Sequence, residues 1–358
     1  MADGREYLAF CSNDYLGLAN HPRVVEAAIE TARRCGVGEG ASHLITGHST
    51  VHERLEEKLA EFSRMPRALL FTSGYHANIG VITALAGPED AIFSDALNHA
   101  SLIDGVRLSR SPVVRYPHRD LEFLDEALGR CKADTKMIVT DAVFSMDGDI
   151  APLPGLLALC ERHDAWLLVD DAHGIGVLGA QGRGSLAHFG LSSPRIVYMG
   201  TLGKAIGVAG AFVAGIDDVV ETVMQRARTY IYTTASPTLL AAAVEASLDL
   251  VRNESWRREH LAHLVHTLKG ALGGAHARLT PSETPIQPLV VGENSEAVAL
   301  SGALRERGIL VPAIRPPTVP EGTARLRISL SAAHREDDVL RLAATLREVS
   351  AGAAAEPV

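Results

Sequence analysis

Ala165-Trp-Leu-Leu-Val-Asp-Asp-Ala-His173 and Arg195-Ile-Val-Tyr-Met-Gly-Thr-Leu-Gly-Lys204 are two short apolar runs, each ending in side chains able to do chemistry. Short apolar runs bounded by polar residues suit strands buried on both faces, as in a mainly parallel sheet covered by helices. In such sheets ligands sit beyond the carboxyl ends of the strands. Asp170, His173, Thr201 and Lys204 all fall at those ends.

Outward from this stretch the pattern repeats. Strands are expected at Ala68–Phe71, Asp90–Asp95, Val113–Tyr116 and Lys136–Asp141. Helices are expected between them at His76–Leu85, Ala100–Leu108, Leu121–Gly129 and Leu156–His163. Ala211–Gly215 reads as an antiparallel edge strand. Upstream, Val24, Val25, Ala28, Ile29 and Ala32 share one face of a helix from Pro22 to Arg34. Ser49, with Thr50 and Glu53 near capping-box spacing, opens a helix reaching Phe62. After Pro237 come helices at Leu239–Arg252 and Ser255–Leu272. Shorter strands follow around Ile286, Ile309 and Arg325, with helices at Ser295–Arg307 and Glu336–Val349. The fold class is therefore α/β: a large, mainly parallel-sheet domain over 17–245 and a smaller α+β domain over 246–358, after a short N-terminal segment, 1–16. Ala351–Val358 reads as a frayed tail.

The 358 residues carry 34 Lys+Arg against 43 Asp+Glu, a net charge of −9 that argues against a general nucleic-acid face. No apolar window is long enough to span a membrane, and the first residues form no signal peptide. The four cysteines are scattered without CxxC spacing, so neither a zinc site nor a disulfide scaffold is expected. A cytoplasmic protein is the expectation. Only five residues are lysine: Lys58, Lys132, Lys136, Lys204 and Lys269.

The residues following the strands gather on one sheet edge. They are Ser73-Gly74-Tyr75, Asn98-His99, Ser145-Met-Asp-Gly-Asp149, Asp170 to His173 and Thr201 to Lys204. A helix start preceded by glycine offers free N–H groups to a phosphate. A lysine in a tight loop can form a Schiff base. A carboxylate can hold a pyridinium N–H, and a histidine can cover an aromatic ring. Together they make a pyridoxal 5′-phosphate site. Singly, each has a plainer reading: a turn, a cap or a core histidine. Lys204 is the hardest to set aside, because it follows an apolar strand and has no helical charge partner.

Two other patterns compete. Gly174-Ile-Gly-Val-Leu-Gly179 matches GxGxxG after a strand. It opens no periodic helix, and the acidic residues before it would repel a pyrophosphate, so it is not read as a dinucleotide site. His48 and His52 are four apart but have no third ligand nearby, so they are read as part of a surface helix and no metal is expected.

With these motifs in hand the chain resembles the α-oxoamine synthases, pyridoxal-phosphate-dependent transferases of fold type I. The resemblance rests on Ser12-Asn-Asp-Tyr-Leu-Gly17, Gly38-Glu-Gly-Ala-Ser-His43, Asn98-His-Ala-Ser101, Val143-Phe-Ser-Met-Asp-Gly148, Val169-Asp-Asp-Ala-His-Gly174 and Gly200-Thr-Leu-Gly-Lys-Ala205. It implies Lys204 as the Schiff-base lysine, Asp170 on the pyridine nitrogen and His99 stacked on the ring. His173 and Ser145 would sit near the ring's phenolic oxygen. Gly74, Tyr75 and Thr201 would hold the phosphate, with Thr234 reaching it from a neighbouring subunit of a homodimer. Arg327 would clamp the amino-acid carboxylate bidentately, with Asn13 and Thr318 near the substrate.

The segment Ala313–Arg327 resembles the biotin-pathway branch, which implies L-alanine and a pimeloyl thioester, on CoA or a carrier protein, as substrates. The alternative is a sister reaction using glycine or another acyl-CoA, of the 2-amino-3-oxobutyrate or 5-aminolevulinate type. Family members carry some tens of residues before the Ser-Asn-Asp-Tyr motif, including an arginine that contacts the acyl substrate. About a dozen precede it here, and Arg5 is not expected to replace that arginine.

Overall fold

The computed structural model describes residues 4–273 and 279–353. In chain order its strands are β1 (Leu8–Ala9), β2 (Arg67–Phe71), β3 (Ala91–Asp95), β4 (Val113–Tyr116), β5 (Lys136–Asp141), β6 (Ala165–Asp170), β7 (Ile196–Thr201), β8 (Ala211–Gly215), β9 (Ile286–Gly292), β10 (Ile309–Leu310), β11 (Ala313–Ile314) and β12 (Ala324–Ser329). The chain divides into two compact units. One is Leu18–Phe144 with Ile150–Glu254; the other is the described residues of Met1–Gly17, Ser145–Asp149 and Ser255–Val358.

The first unit holds a seven-stranded sheet in the order β2-β8-β7-β6-β5-β3-β4. β3 to β7 and β4 pair in parallel, while β8 runs antiparallel to both β7 and β2. β8 is thus antiparallel, as expected, but it is not an edge. All five of its residues are buried, which is what an apolar run without polar alternation requires. Val81, Leu102, Val139, Leu168, Val197 and Val213 belong to one buried cluster joining sheet and helices. Burying each such side chain contributes about 1.5–3 kcal/mol. The register sets Asp141 beside Asp170, and Asp170 beside Met199. The chemical residues at these strand ends are therefore level with one another.

Two helix starts differ from expectation. The helix Gly74–Leu85 begins two residues early, because the Ser73 hydroxyl accepts the His76 N–H (3.2 Å) and caps it. The helix Thr50–Ser63 is closed by His52 instead of Glu53: Ser49 N–H donates to His52 Nδ1 at 3.2 Å. His52 is wholly buried and its Nε2 donates to Ser236 O (2.7 Å), so it does not lie on a surface face. Its ring packs 5.2 Å from His43 and 5.5 Å from His48. Among the described residues, no group of three or more His, Cys, Asp or Glu is placed to hold a metal ion.

The second unit pairs β1 with β10 in parallel and orders β11-β12-β9 as an antiparallel sheet. Helices Ser255–Leu272, Asn294–Glu306 and Glu336–Ala353 complete it. The expected boundary at 245/246 falls inside the unbroken helix Thr238–Asn253, and the division comes instead after Glu254. The N-terminal segment is part of this unit too. Phe10 N–H donates to Leu310 O, and Phe10 O accepts from Ser329 N–H, both at 2.9 Å.

Ser145–Asp149 also belongs here, for a reason no local pattern shows. Arg325 Nη1 donates to Asp147 Oδ1 (2.5 Å), and Arg327 Nε donates to Ser145 O (2.6 Å). The Ser282 and Thr284 hydroxyls donate to Gly148 O at 2.8 and 3.0 Å. Gly148 has φ +71°, and a Cβ there would run into Ile286 O. Residues 354–358 of the expected tail lie outside the described residues. Among those described, no helix is long and apolar enough to cross a membrane.

Candidate active site

Lys204 follows β7 in a turn tied at several points. Leu202 N–H donates to Gly210 O (2.9 Å), Val208 N–H to Leu202 O (2.9 Å) and Gly207 N–H to Lys204 O (2.8 Å). The loop therefore has little freedom, and half-buried Lys204 presents Nζ 2.8 Å from His173 Nε2. His173 itself is buried just past β6.

Asp170 ends β6 with 3% of its surface exposed. Its Oδ1 accepts Ala172 N–H (2.9 Å) and its Oδ2 accepts Asn78 Nδ2–H (2.6 Å). Asp141, level with it on β5, is buried too; it accepts the His99 N–H (2.6 Å) at Oδ2. Burial, then the charge of Asp170, push the Asp141 carboxyl well above its usual range. Two neighbouring buried carboxylates do not both ionise easily, which is the cause of the Asp141 shift.

His99 caps the helix Ala100–Ser109, with Nδ1 accepting Ser101 N–H (3.2 Å). Its pKa is pushed below the ordinary imidazole value by burial; Asp170 acts to raise it and Lys204 to lower it. His99, Asp170 and Lys204 thus lie near enough to act on one another. Part of the His99 surface remains exposed, which a ring-stacking role requires. Asn78, Ser101 and Asp141 were not singled out from the sequence. The available signal was a lone asparagine in the apolar helix Gly74–Leu85 and an aspartate closing an apolar strand.

The phosphate candidates also meet. A Cβ on Gly74 would sit 3.9 Å from Thr201 Cβ, so the helix start and the end of β7 adjoin. The first-turn amides of Gly74 and Tyr75 have no protein acceptor among the described residues, as at any helix start not covered by side chains. The Thr201 hydroxyl donates to Gly210 O (3.2 Å) and would turn to meet an anion. Tyr75 is exposed, its hydroxyl donating to Asp104. An amine, a buried carboxylate, an uncharged ring and free amides at a helix start are the donor set that pyridoxal phosphate needs. The residues fit the group.

In the second unit Arg327 lies on β12 and is 6% exposed. Nε donates to Ser145 O, and Nη1 donates to Ser329 Oγ (2.8 Å) and to Asn13 Oδ1 (3.2 Å). The Tyr15 hydroxyl is hydrogen-bonded to the guanidinium as well, so Arg327 is held firmly in place. Asn13 Oδ1 also accepts the Tyr15 hydroxyl (3.1 Å). Arg327, Asn13 and Ser145 are brought together. Thr318 stands apart in an exposed turn, its N–H donating to Arg315 O (3.0 Å). Thr234, in the first unit, is exposed and bridges to Ser42.

The GxGxxG stretch has a packing explanation. Asp171 is wholly buried, its Oδ2 accepting Tyr198 O–H and Ser185 N–H, both at 2.7 Å. A Cβ on Gly174 would run into Asp171 Oδ1, and one on Gly184 into Asp171 Oδ2. These glycines close around a carboxyl group.

A seven-stranded, mainly parallel sheet with a lysine, a buried carboxylate and a histidine at its carboxyl edge is the large-domain architecture of pyridoxal-phosphate-dependent enzymes of fold type I. The chain belongs to the aminotransferase class I and II family, whose model matches residues 5–346. It is 63% identical over 346 residues to the 8-amino-7-oxononanoate synthase of Nitrosospira multiformis, covering 97% of this chain and 87% of that one. Among solved structures, serine palmitoyltransferase from S. paucimobilis, with bound pyridoxal phosphate and myriocin, superposes with a TM-score of 0.94. It is 31% identical and covers 98% of this chain and 89% of its own. The 8-amino-7-oxononanoate synthase of Francisella tularensis superposes with a TM-score of 0.83 at 30% identity, covering 97% and 98%.

Proposed function

We propose that this chain is an 8-amino-7-oxononanoate synthase of biotin biosynthesis. It joins L-alanine to a pimeloyl thioester, on CoA or a carrier protein, with uptake of one proton and release of CO2 and the thiol. The 63% identity to a protein of that name, over nearly the whole chain, is the observation that carries this reading. Bound pyridoxal 5′-phosphate supplies an electron sink conjugated to the amino acid's Cα.

The chain's own residues do the rest. Lys204 Nζ would hold the cofactor and would serve as the base for the Cα proton. His173 Nε2, 2.8 Å away, orients that amine. Asp170 would meet the pyridinium N–H, with Asp141, its carboxyl pushed up by burial, beside it. Gly74, Tyr75 and Thr201 hold the phosphate, joined by Thr234 of a second copy. His99 covers the ring, and Ser145 contributes near the phenolic oxygen. Arg327 binds the substrate carboxylate through its guanidinium fork, Asn13 lies beside it and Thr318 contacts the substrate. A homodimer is supported by the exposed apolar side chains of Val37, Ile45 and Tyr232, at 76%, 75% and 71%.

The higher TM-score to serine palmitoyltransferase favours a second reading, a sister synthase with a different amino acid or acyl donor. Its 31% identity is half that of the first relative, which argues for alanine. The test supplies pyridoxal phosphate, pimeloyl-CoA and either L-alanine or glycine, and follows CoA, CO2 and product mass. Equal CoA and CO2 release with alanine, and a product with the mass of 8-amino-7-oxononanoate, is expected. A preference for glycine, or CoA release without CO2, overturns the proposal.

A further inference from the structure

We propose that Ser101 and Asn78 are positioning residues: they hold His99 in its neutral, Nε2-protonated tautomer and join it to Asp170 through one hydrogen-bonded chain. The consequence for catalysis rests on the reading of His99 as the cofactor's ring cover; the tautomer itself does not.

The argument starts from Asn78, which is wholly buried. Its Nδ2 lies 2.6 Å from Asp170 Oδ2 and 2.8 Å from Ser101 Oγ. An amide nitrogen carries two hydrogens, so both contacts are donations. The reverse orientation would set the amide oxygen against a carboxylate and is excluded. The chosen orientation leaves Asn78 Oδ1 buried without a partner, so the two donations outweigh an unsatisfied acceptor.

Ser101 Oγ therefore accepts from Asn78 and has one hydrogen left to give. His99 Nδ1 is 2.8 Å away and takes it. The Ser101 backbone N–H points to the same nitrogen at 3.2 Å. A ring nitrogen with two donors aimed at it carries no proton, so the neutral ring is protonated at Nε2. Charging the ring would place a hydrogen on Nδ1 against the Ser101 backbone N–H and require the Ser101 hydroxyl to turn away. Three other groups bear on its charge. Asp170 favours the imidazolium and Lys204 opposes it, as does burial. The Asp141 carboxyl is engaged by the His99 backbone N–H.

The helices must lie close for the chain to form, and Gly105 permits it. A Cβ there would be 2.9 Å from Ile82 Cδ1 and 3.1 Å from Asn78 O. The result is a ring kept uncharged next to a site that must hold a pyridinium. An imidazolium stacked there would repel the protonated cofactor ring that Asp170 stabilises.

The test uses cofactor-free protein labelled with 15N-histidine and long-range 1H–15N spectra, with His99→Gln assigning the signal among 15 histidines. The wild-type signal is expected to show Nε2 protonated and Nδ1 bare from pH 6 to 8. Ser101→Ala keeps only the backbone donor to Nδ1, so the Nδ1-protonated tautomer should become detectable beside the Nε2 form and the His99 pKa should rise by about one unit, a tenfold change. Ser101→Thr keeps the hydroxyl and should restore the wild-type pattern; Asn78→Ala should move it in the Ser101→Ala direction. A wild-type ring protonated at Nδ1, or a Ser101→Ala spectrum like wild type in a folded protein, overturns the proposal. Should Ser101→Ala fail to fold, the wild-type and Ser101→Thr spectra still decide. The cofactor reading fails separately, by absence of an absorbance band when pyridoxal phosphate is added to wild type.

Discussion

Asp171→Asn should change how stability depends on pH. Burial pushes the Asp171 carboxyl up to about 7, against the Tyr198 hydroxyl and Ser185 groups that pull it down. In an unfolded chain the same carboxyl titrates near ~3.9. Between about pH 4 and pH 7 the unfolded chain has released this proton and the native protein still holds it. Its contribution is fully present below about pH 4 and is lost as pH rises through about 7. At about 1.4 kcal/mol per pH unit, the loss across that window is about 4 kcal/mol.

Asparagine keeps the shape and does not titrate. Its oxygen can accept from Tyr198 and Ser185, while its nitrogen takes the place of Oδ1, which has no partner. That buried N–H costs about 1–3 kcal/mol at every pH. The variant should thus be the less stable protein at pH 4.5 and the more stable one at pH 8. The assay is the difference in unfolding free energy between the two cofactor-free proteins across that range. The other titrating groups are common to both and cancel. A difference that stays constant, or that shifts against the variant as pH rises, would mean that Asp171 is ionised in the native protein. The glycine-rich loop would then enclose a charge, and the packing argument would fail.

Other outcomes follow from the same contacts. Gly174→Ala should cost on the order of 2–3 kcal/mol in thermal or urea unfolding, most of it recovered in an Asp171→Ser background; simple additivity would place the crowding elsewhere. Arg327→Lys loses the Nε bond to Ser145 and the planar fork, so KM for the amino acid should rise about tenfold or more with a smaller change in kcat. An unchanged KM would remove Arg327 from carboxylate binding. Asp141→Asn should stay within about 1 kcal/mol of wild type, because burial and the charge of Asp170 already disfavour the charged carboxyl and the amide oxygen can still accept the His99 N–H. A loss of several kcal/mol on unfolding would show that Asp141 is ionised.

The sheet and its candidate edge were legible because each apolar run ended where a chemical side chain began. Lys204 was conspicuous in a chain with five lysines, and the structure sets it against His173. What could not be read depended on partners distant in sequence. Ser145–Asp149 sits at the end of a large-sheet strand, but Arg325 and Arg327, some 180 residues later, bind it to the second unit. β8 looked like an edge because its neighbour β2 comes much earlier in the chain. His52 looked solvated because its acceptor is Ser236 O. Asn78 and Ser101 are ordinary helix residues until the two helices meet. Periodicity reports burial, and it does not report which buried polar groups pair.

The account rests on Lys204 as the residue that holds the cofactor. Borohydride reduction of the protein with pyridoxal phosphate, followed by peptide mapping, tests it directly. The expected result is a single pyridoxyl-lysine at Lys204, lost in Lys204→Ala. Label on Lys58, Lys132, Lys136 or Lys269, or covalent retention by Lys204→Ala, would contradict it.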